Sequence, residues 1–145
     1  MYFSARRPVA KWTINGENYY VDSAGKAFLI NYFDEPELSI VDENHFDVQP
    51  GETPIASNRF LEFIGRLVSD MALNDLEIDQ ITIPLRKLRE VDIKVKGRSY
   101  PFKLSIDRSP AEQAEDIKRL IKHLDDNKIR PRYVDIRVKG RAYYR

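Results

Sequence analysis

Apolar positions along the chain follow two patterns. Short stretches alternate or cluster β-branched and aromatic residues, and two longer stretches repeat apolar residues at steps of three and four. The short stretches predict strands. Val9 to Ile14, Asn18 to Asp22 and Lys26 to Tyr32 come first, divided by Asn15-Gly16 and Ala24-Gly25. Asn-Gly suits a tight hairpin because both residues tolerate a positive φ. Residues 33–56, with Pro36, Pro50, Gly51 and Pro54, predict a long connection holding a short strand near Ser39–Val41. Gln80–Ile83, Leu88–Lys96, Ser99–Ile106 and Arg132–Tyr144 complete the strands. In the last of these Val134, Ile136 and Val138 are expected to face a core, with Asp135, Arg137 and Lys139 facing outward.

The two longer stretches predict helices. Ser57 is placed to cap one whose apolar stripe is Phe60, Leu61, Ile64, Leu67, Val68 and Met71. Ser109-Pro110-Ala111-Glu112 opens the other with an N-cap residue, a proline at the first helical position and a glutamate at the third. Its stripe is Ala114, Ile117, Leu120, Ile121 and Leu124, and Asp125-Asp126-Asn127 ends it. Each helix has one apolar stripe and a charged back, so each is expected to lie on a sheet. The order β, β, β, α, β, β, β, α, β then predicts an α+β fold, a mixed, largely antiparallel sheet with two helices packed on it.

One segment repeats. Val91-Asp-Ile-Lys-Val-Lys-Gly-Arg-Ser-Tyr100 returns as Val134-Asp-Ile-Arg-Val-Lys-Gly-Arg-Ala-Tyr143. Both copies alternate as strands with one buried face do, and two copies are too few for a solenoid.

Composition narrows the class. A chain of 145 residues that is 42% apolar suits one domain with a packed core, and holds too much apolar content for a disordered chain. No run approaches the ~18 apolar residues of a membrane span, and Arg6 and Arg7 precede no apolar stretch of a signal peptide. With no cysteine there is no disulfide, thiolate nucleophile or zinc–cysteine site. The net charge of +1 hides an uneven distribution. Residues 34–52 hold Asp34, Glu35, Glu37, Asp42, Glu43, Asp47 and Glu52 with no lysine or arginine. Residues 128–145 hold Lys128, Arg130, Arg132, Arg137, Lys139, Arg141 and Arg145 against Asp135 alone. Each block reads either as a solvated surface or as an electrostatic face for a partner.

Catalytic patterns fail. Before Gly25-Lys26 a phosphate loop needs glycine where Tyr20 stands, and serine or threonine where Ala27 stands. His45 and His123 are far apart, so neither a transition-metal site nor a cofactor is expected. The chain therefore reads as a non-enzyme. Two readings of the terminal strand stay open. Its arginines and Tyr133, Tyr143 and Tyr144 suit stacking and phosphate contacts with a single-stranded nucleic acid, although no nucleic-acid motif accompanies them. Alternatively, a strand last in the chain offers a free edge to an extended peptide, unless its charges only guard that edge.

Three segments resemble the FtsQ/DivIB family of bacterial cell-division proteins. Arg7-Pro8-Val9-Ala10-Lys11-Trp12 resembles the opening of that family's β domain. Tyr20-Val21-Asp22-Ser23-Ala24-Gly25-Lys26-Ala27-Phe28 resembles its hairpin, and Tyr133-Val134-Asp135-Ile136-Arg137 its final strand. The likeness covers residues 7–145, leaving residues 1–6 as a linker, the end of a preceding domain or appended residues. It implies a non-enzymatic scaffold at the division septum, outside the bacterial cytoplasmic membrane, in a full-length protein with one membrane helix. This chain is then expected to be a soluble fragment of it. The implied partners are FtsB- and FtsL-type division proteins, with an FtsB-type strand added beside the last strand. The implied partner-binding residues are Arg137, Val138, Lys139, Gly140, Arg141, Ala142, Tyr143 and Tyr144, together with Arg89 just ahead of the first repeat copy. A tryptophan near the end of some family members has no counterpart here. The alternatives are an unrelated α+β adaptor and a nucleic-acid binder.

Overall fold

The computed structural model describes residues 7–44, 57–87 and 89–145. The linker 1–6, His45 and the acids from Asp47 to Glu52 lie outside the described residues. The strands are β1 (Ala10–Ile14), β2 (Glu17–Val21), β3 (Ala27–Phe28), β4 (Ser39–Asp42), β5 (Ile78–Ile83), β6 (Glu90–Val95), β7 (Pro101–Ser105), β8 (Val134–Asp135) and β9 (Tyr143–Tyr144). The helices are α1 (Asn58–Leu73) and α2 (Pro110–Asp126). All nine strands join one sheet in the order β3-β2-β1-β4-β5-β6-β7-β8-β9. The β1–β4, β4–β5 and β7–β8 pairs are parallel and the rest antiparallel. The fold is thus α+β, with a mixed, mostly antiparallel sheet. Among the described residues no helix is long and apolar enough to cross a membrane.

Local chemistry explains most boundaries. Asn15 and Gly16 take φ of 56° and 76° in the β1–β2 hairpin, the left-handed geometry their dipeptide favours. The Ser57 Oγ accepts from the Phe60 N–H at 3.2 Å, and the Ser109 Oγ from the Glu112 N–H at 3.3 Å. One face of the sheet presents Trp12, Ile14, Ile40, Ile81, Val91, Ile93, Phe102, Leu104 and Val134, all buried. Ile64, Leu67 and Met71 of α1 and Ala114, Ile117, Ile121 and Leu124 of α2 complete the core.

Several expectations need correction. The third strand is expected over Lys26 to Tyr32, yet β3 holds only Ala27–Phe28, and Leu29, Ile30 and Tyr32 are exposed. In α1 Phe63 is buried and Val68 is exposed, the reverse of the expected stripe. The helix also packs against α2. The largest correction concerns the C-terminus. The expected strand Arg132–Tyr144 is a hairpin in which β9 folds back antiparallel on β8.

Candidate partner-binding edge

The C-terminal hairpin is built around Val138-Lys139-Gly140-Arg141. The Arg141 N–H donates to the Val138 carbonyl at 3.1 Å, and Gly140 has φ of +77°. A Cβ on Gly140 would meet nothing within 4 Å, so the backbone angle, rather than space, favours glycine there. The repeat now has a structural meaning. In Val95-Lys96-Gly97-Arg98, between β6 and β7, the Arg98 N–H donates to the Val95 carbonyl at 3.0 Å and Gly97 has φ of +85°. Both copies encode one turn with a positive φ at its third position, as a type II turn requires. Beyond the turn the copies diverge. Tyr100 precedes β7 and is buried, whereas Tyr143 lies within β9 and is exposed.

This turn relocates the expected binding residues. Val134 and Ile136 are buried as expected, but Val138 is 56% exposed because the chain leaves the sheet before reaching it. Lys139 turns toward α2, its Nζ 3.4 Å from Glu112. Gly140, Arg141 and Ala142 line a cavity of about 330 Å³ with Asp116, Leu120 and His123 of α2. Tyr143 and Tyr144 form β9, the last strand of the sheet, and both are exposed. Tyr133 pairs with Arg145, whose N–H donates to the Tyr133 carbonyl at 3.4 Å. In that register the Tyr144 N–H and C=O point to the free edge.

Arg137 does not stand free. Its Nε and Nη2 donate to the two carboxylate oxygens of Asp135 at 2.9 and 2.7 Å, and its Nη1 lies 2.7 Å from Glu90 Oε1. Asp135 is held below the usual carboxylate range by those hydrogen bonds. Glu90 is 4% exposed on the face of the sheet away from the helices, and Lys87 is its second cation at 3.7 Å. Among the described residues neither Glu90 oxygen has a hydrogen bond of good geometry, and its burial there rests on charge contacts. Arg89 and Arg137 line a common cavity of about 460 Å³ with Arg86, Lys87, Glu90, Ser105 and Asp107. The structure therefore brings together two arginines that are 48 residues apart in sequence. Arg89 is 81% exposed and pairs with Asp107 at 3.3 Å, an ion pair that solvent screens strongly.

Sequence reasoning did not single out Glu90. The signal was Glu90 and Asp92, two carboxylates at i and i+2, which share one face of a strand and need cations nearby. Asp92 pairs in register with Lys103 of β7 and Thr82 of β5, and Lys103 with Asp135 of β8. The Lys103 ammonium lies 4.9 Å over the Tyr133 ring. Burial and the Glu90 charge raise the Asp92 pKa to about 7, and Lys103 and Lys87 offset this in part. An acid raised in the folded state contributes stability below its unfolded value near pH 4, and that stability is lost as pH rises through about 7. Asp92→Asn is therefore expected to raise the melting temperature by about 3 °C at pH 8, where the native carboxylate is charged, and by much less at pH 5. Thermal melts at both pH values check this, and an equal shift at both would contradict it.

No family model matches the chain, and no curated protein matches it.

Proposed function

We propose that the chain is an FtsQ/DivIB-like β domain, a non-enzymatic scaffold that holds FtsB- and FtsL-type division proteins at the septum, on the outer side of the bacterial cytoplasmic membrane. One observation carries this reading. Among the described residues the sheet ends at β9 with no further strand beside it, and Tyr143 and Tyr144 are exposed there with exposed Arg132, Arg141 and Arg145. An extended acidic segment of the partner adds there as a further strand, with main-chain hydrogen bonds for affinity and arginine pairs for choice of partner. Arg89 contributes from the neighbouring cavity. Its exposed pair with Asp107 exchanges for a partner carboxylate at little cost, whereas Arg137 is committed to Glu90 and Asp135.

Titration of an acidic FtsB-type peptide by calorimetry tests the reading. Arg89→Glu and Arg141→Glu are each expected to weaken binding about tenfold, as loss of an interfacial charge pair does. Tyr144→Pro removes the outward N–H without touching the bonds to β8, and is expected to weaken binding more than Tyr144→Ala. Unchanged affinity in all four variants would refute the edge mechanism. Preference for a single-stranded oligonucleotide over the peptide would refute the choice of partner.

A further inference from the structure

We propose that the two edges at which the sheet ends among the described residues are complementary, and that a second copy of the chain docks its β9 edge against the β3 edge. This does not rest on the division-protein reading. At the β3 end, four large apolar side chains stand exposed within five positions. Leu29 is 59% exposed, Ile30 65%, Tyr32 64% and Phe33 38%. Such a patch on a globular domain marks an interaction surface.

The patch is held in shape rather than loose. The Phe33 N–H donates to Asn31 Oδ1 at 2.8 Å, and Asn31 Nδ2 donates to the Asp34 carbonyl at 3.3 Å. The Tyr20 hydroxyl donates to Glu35, and the Arg7 guanidinium lies 4.6 Å over the Phe33 ring. A surface ordered in advance loses less entropy on docking.

Charge selects the occupant. Residues 27–37 hold Asp34, Glu35 and Glu37 with no lysine or arginine, which opposes an anionic membrane and favours a basic surface. The opposite edge of the same molecule offers one. Arg130, Arg132, Arg141 and Arg145 are exposed there around Tyr143, Tyr144 and Val138. The nearest acid in sequence, Asp135, is already bound to Arg137. Each edge therefore has an apolar centre, with a basic rim at β9 and, at β3, Asp34, Glu35 and Glu37 against Arg7 and Lys26. Docking β9 on β3 is heterologous, so each added copy leaves another free edge and the assembly stays open-ended. Both edge strands have two residues, so the association is weak, reversible and driven largely by charge.

Sedimentation velocity over a concentration series tests this. The association constant of the unmodified chain is expected to fall at least about tenfold between roughly 50 and 500 mM salt, as the screening length shortens. Asp34→Lys/Glu37→Lys reverses one edge and Arg141→Glu/Arg145→Glu the other, and all four residues are exposed. Each double variant alone is expected to stay monomeric, and an equimolar mixture of the two is expected to associate, because each then meets an edge of opposite charge. A chain that is monomeric up to about 1 mM would overturn the proposal. So would association insensitive to salt or to either reversal, a mixture that stays monomeric, or a monomer that binds anionic vesicles.

Discussion

Trp12→Ala is expected to cost about 4 kcal/mol of folding stability, the upper part of the range for deleting a large buried side chain. Trp12 is 1% exposed at the middle of β1, where its register partners are Tyr19 of β2 and Ile40 of β4. Its ring lies 5.8 Å from that of Phe60 at the start of α1, so it joins sheet and helix. Its Nε1–H donates to Asp42 Oδ2 at 3.3 Å, and Asp42 is 8% exposed. Alanine would leave a large cavity and remove one donor from that buried carboxylate. At about 3 °C per kcal/mol for a chain of this size, the melting temperature should fall by about 12 °C. Trp12→Phe keeps the packing and loses only the hydrogen bond, so about 1–2 kcal/mol is expected. Urea unfolding of both variants separates the contributions. Equal losses in the two would show that the hydrogen bond, and not the packing, dominates. The tryptophan in the segment resembling the opening of an FtsQ/DivIB β domain therefore has a core role that accounts for it without any partner.

Arg137→Ala is expected to cost about 2 kcal/mol, with Arg137→Glu costing more. Removing the guanidinium leaves Glu90 with Lys87, at 3.7 Å and half-exposed, as its one remaining ion-pair partner among the described residues, and with Asp92 on the same face of β6. Stranding a buried carboxylate costs more than an exposed ion pair contributes. Arg137 is itself 42% exposed, so the expected loss lies below that for a fully buried pair. Adding Glu90→Gln should recover about 1 kcal/mol, since the stranded charge is then gone. A double-mutant cycle by chemical denaturation measures this coupling, and additive losses would show that the pair contributes nothing jointly. Charge reversal at Arg137 therefore disturbs the C-terminal hairpin before it disturbs any partner contact, and Arg89 and Arg141 are the better reporters of binding.

The pattern of residues along the chain was enough to locate both helices and most strands, because their determinants are local. Ser57 and Ser109 cap where a serine ahead of an amphipathic stretch should. Val91, Ile93 and Val95 alternate into the core beside Glu90, Asp92 and Lys94. Periodicity sets the direction of a helix stripe only to within about one residue, and the tertiary packing covers Phe63 and leaves Val68 exposed. The C-terminal turn was legible in principle, since Val-Lys-Gly-Arg already separates β6 from β7. Alternation through Val138 pointed instead to one continuous strand, and alternation by itself does not show where a strand leaves its sheet.

The sequence alone determined the fold class, the helix caps, the tight β1–β2 turn and the concentration of positive charge at the C-terminus, because each depends on neighbours within a few residues. Tertiary structure alone decided that β4 enters between β1 and β5, that β9 rather than β8 forms the free edge, and that Arg137 serves Glu90 while Arg89 remains exposed. Those outcomes depend on which distant strands lie side by side. Pairing distant strands means closing long loops, and the packing that offsets their entropy is shared among residues that no short window contains.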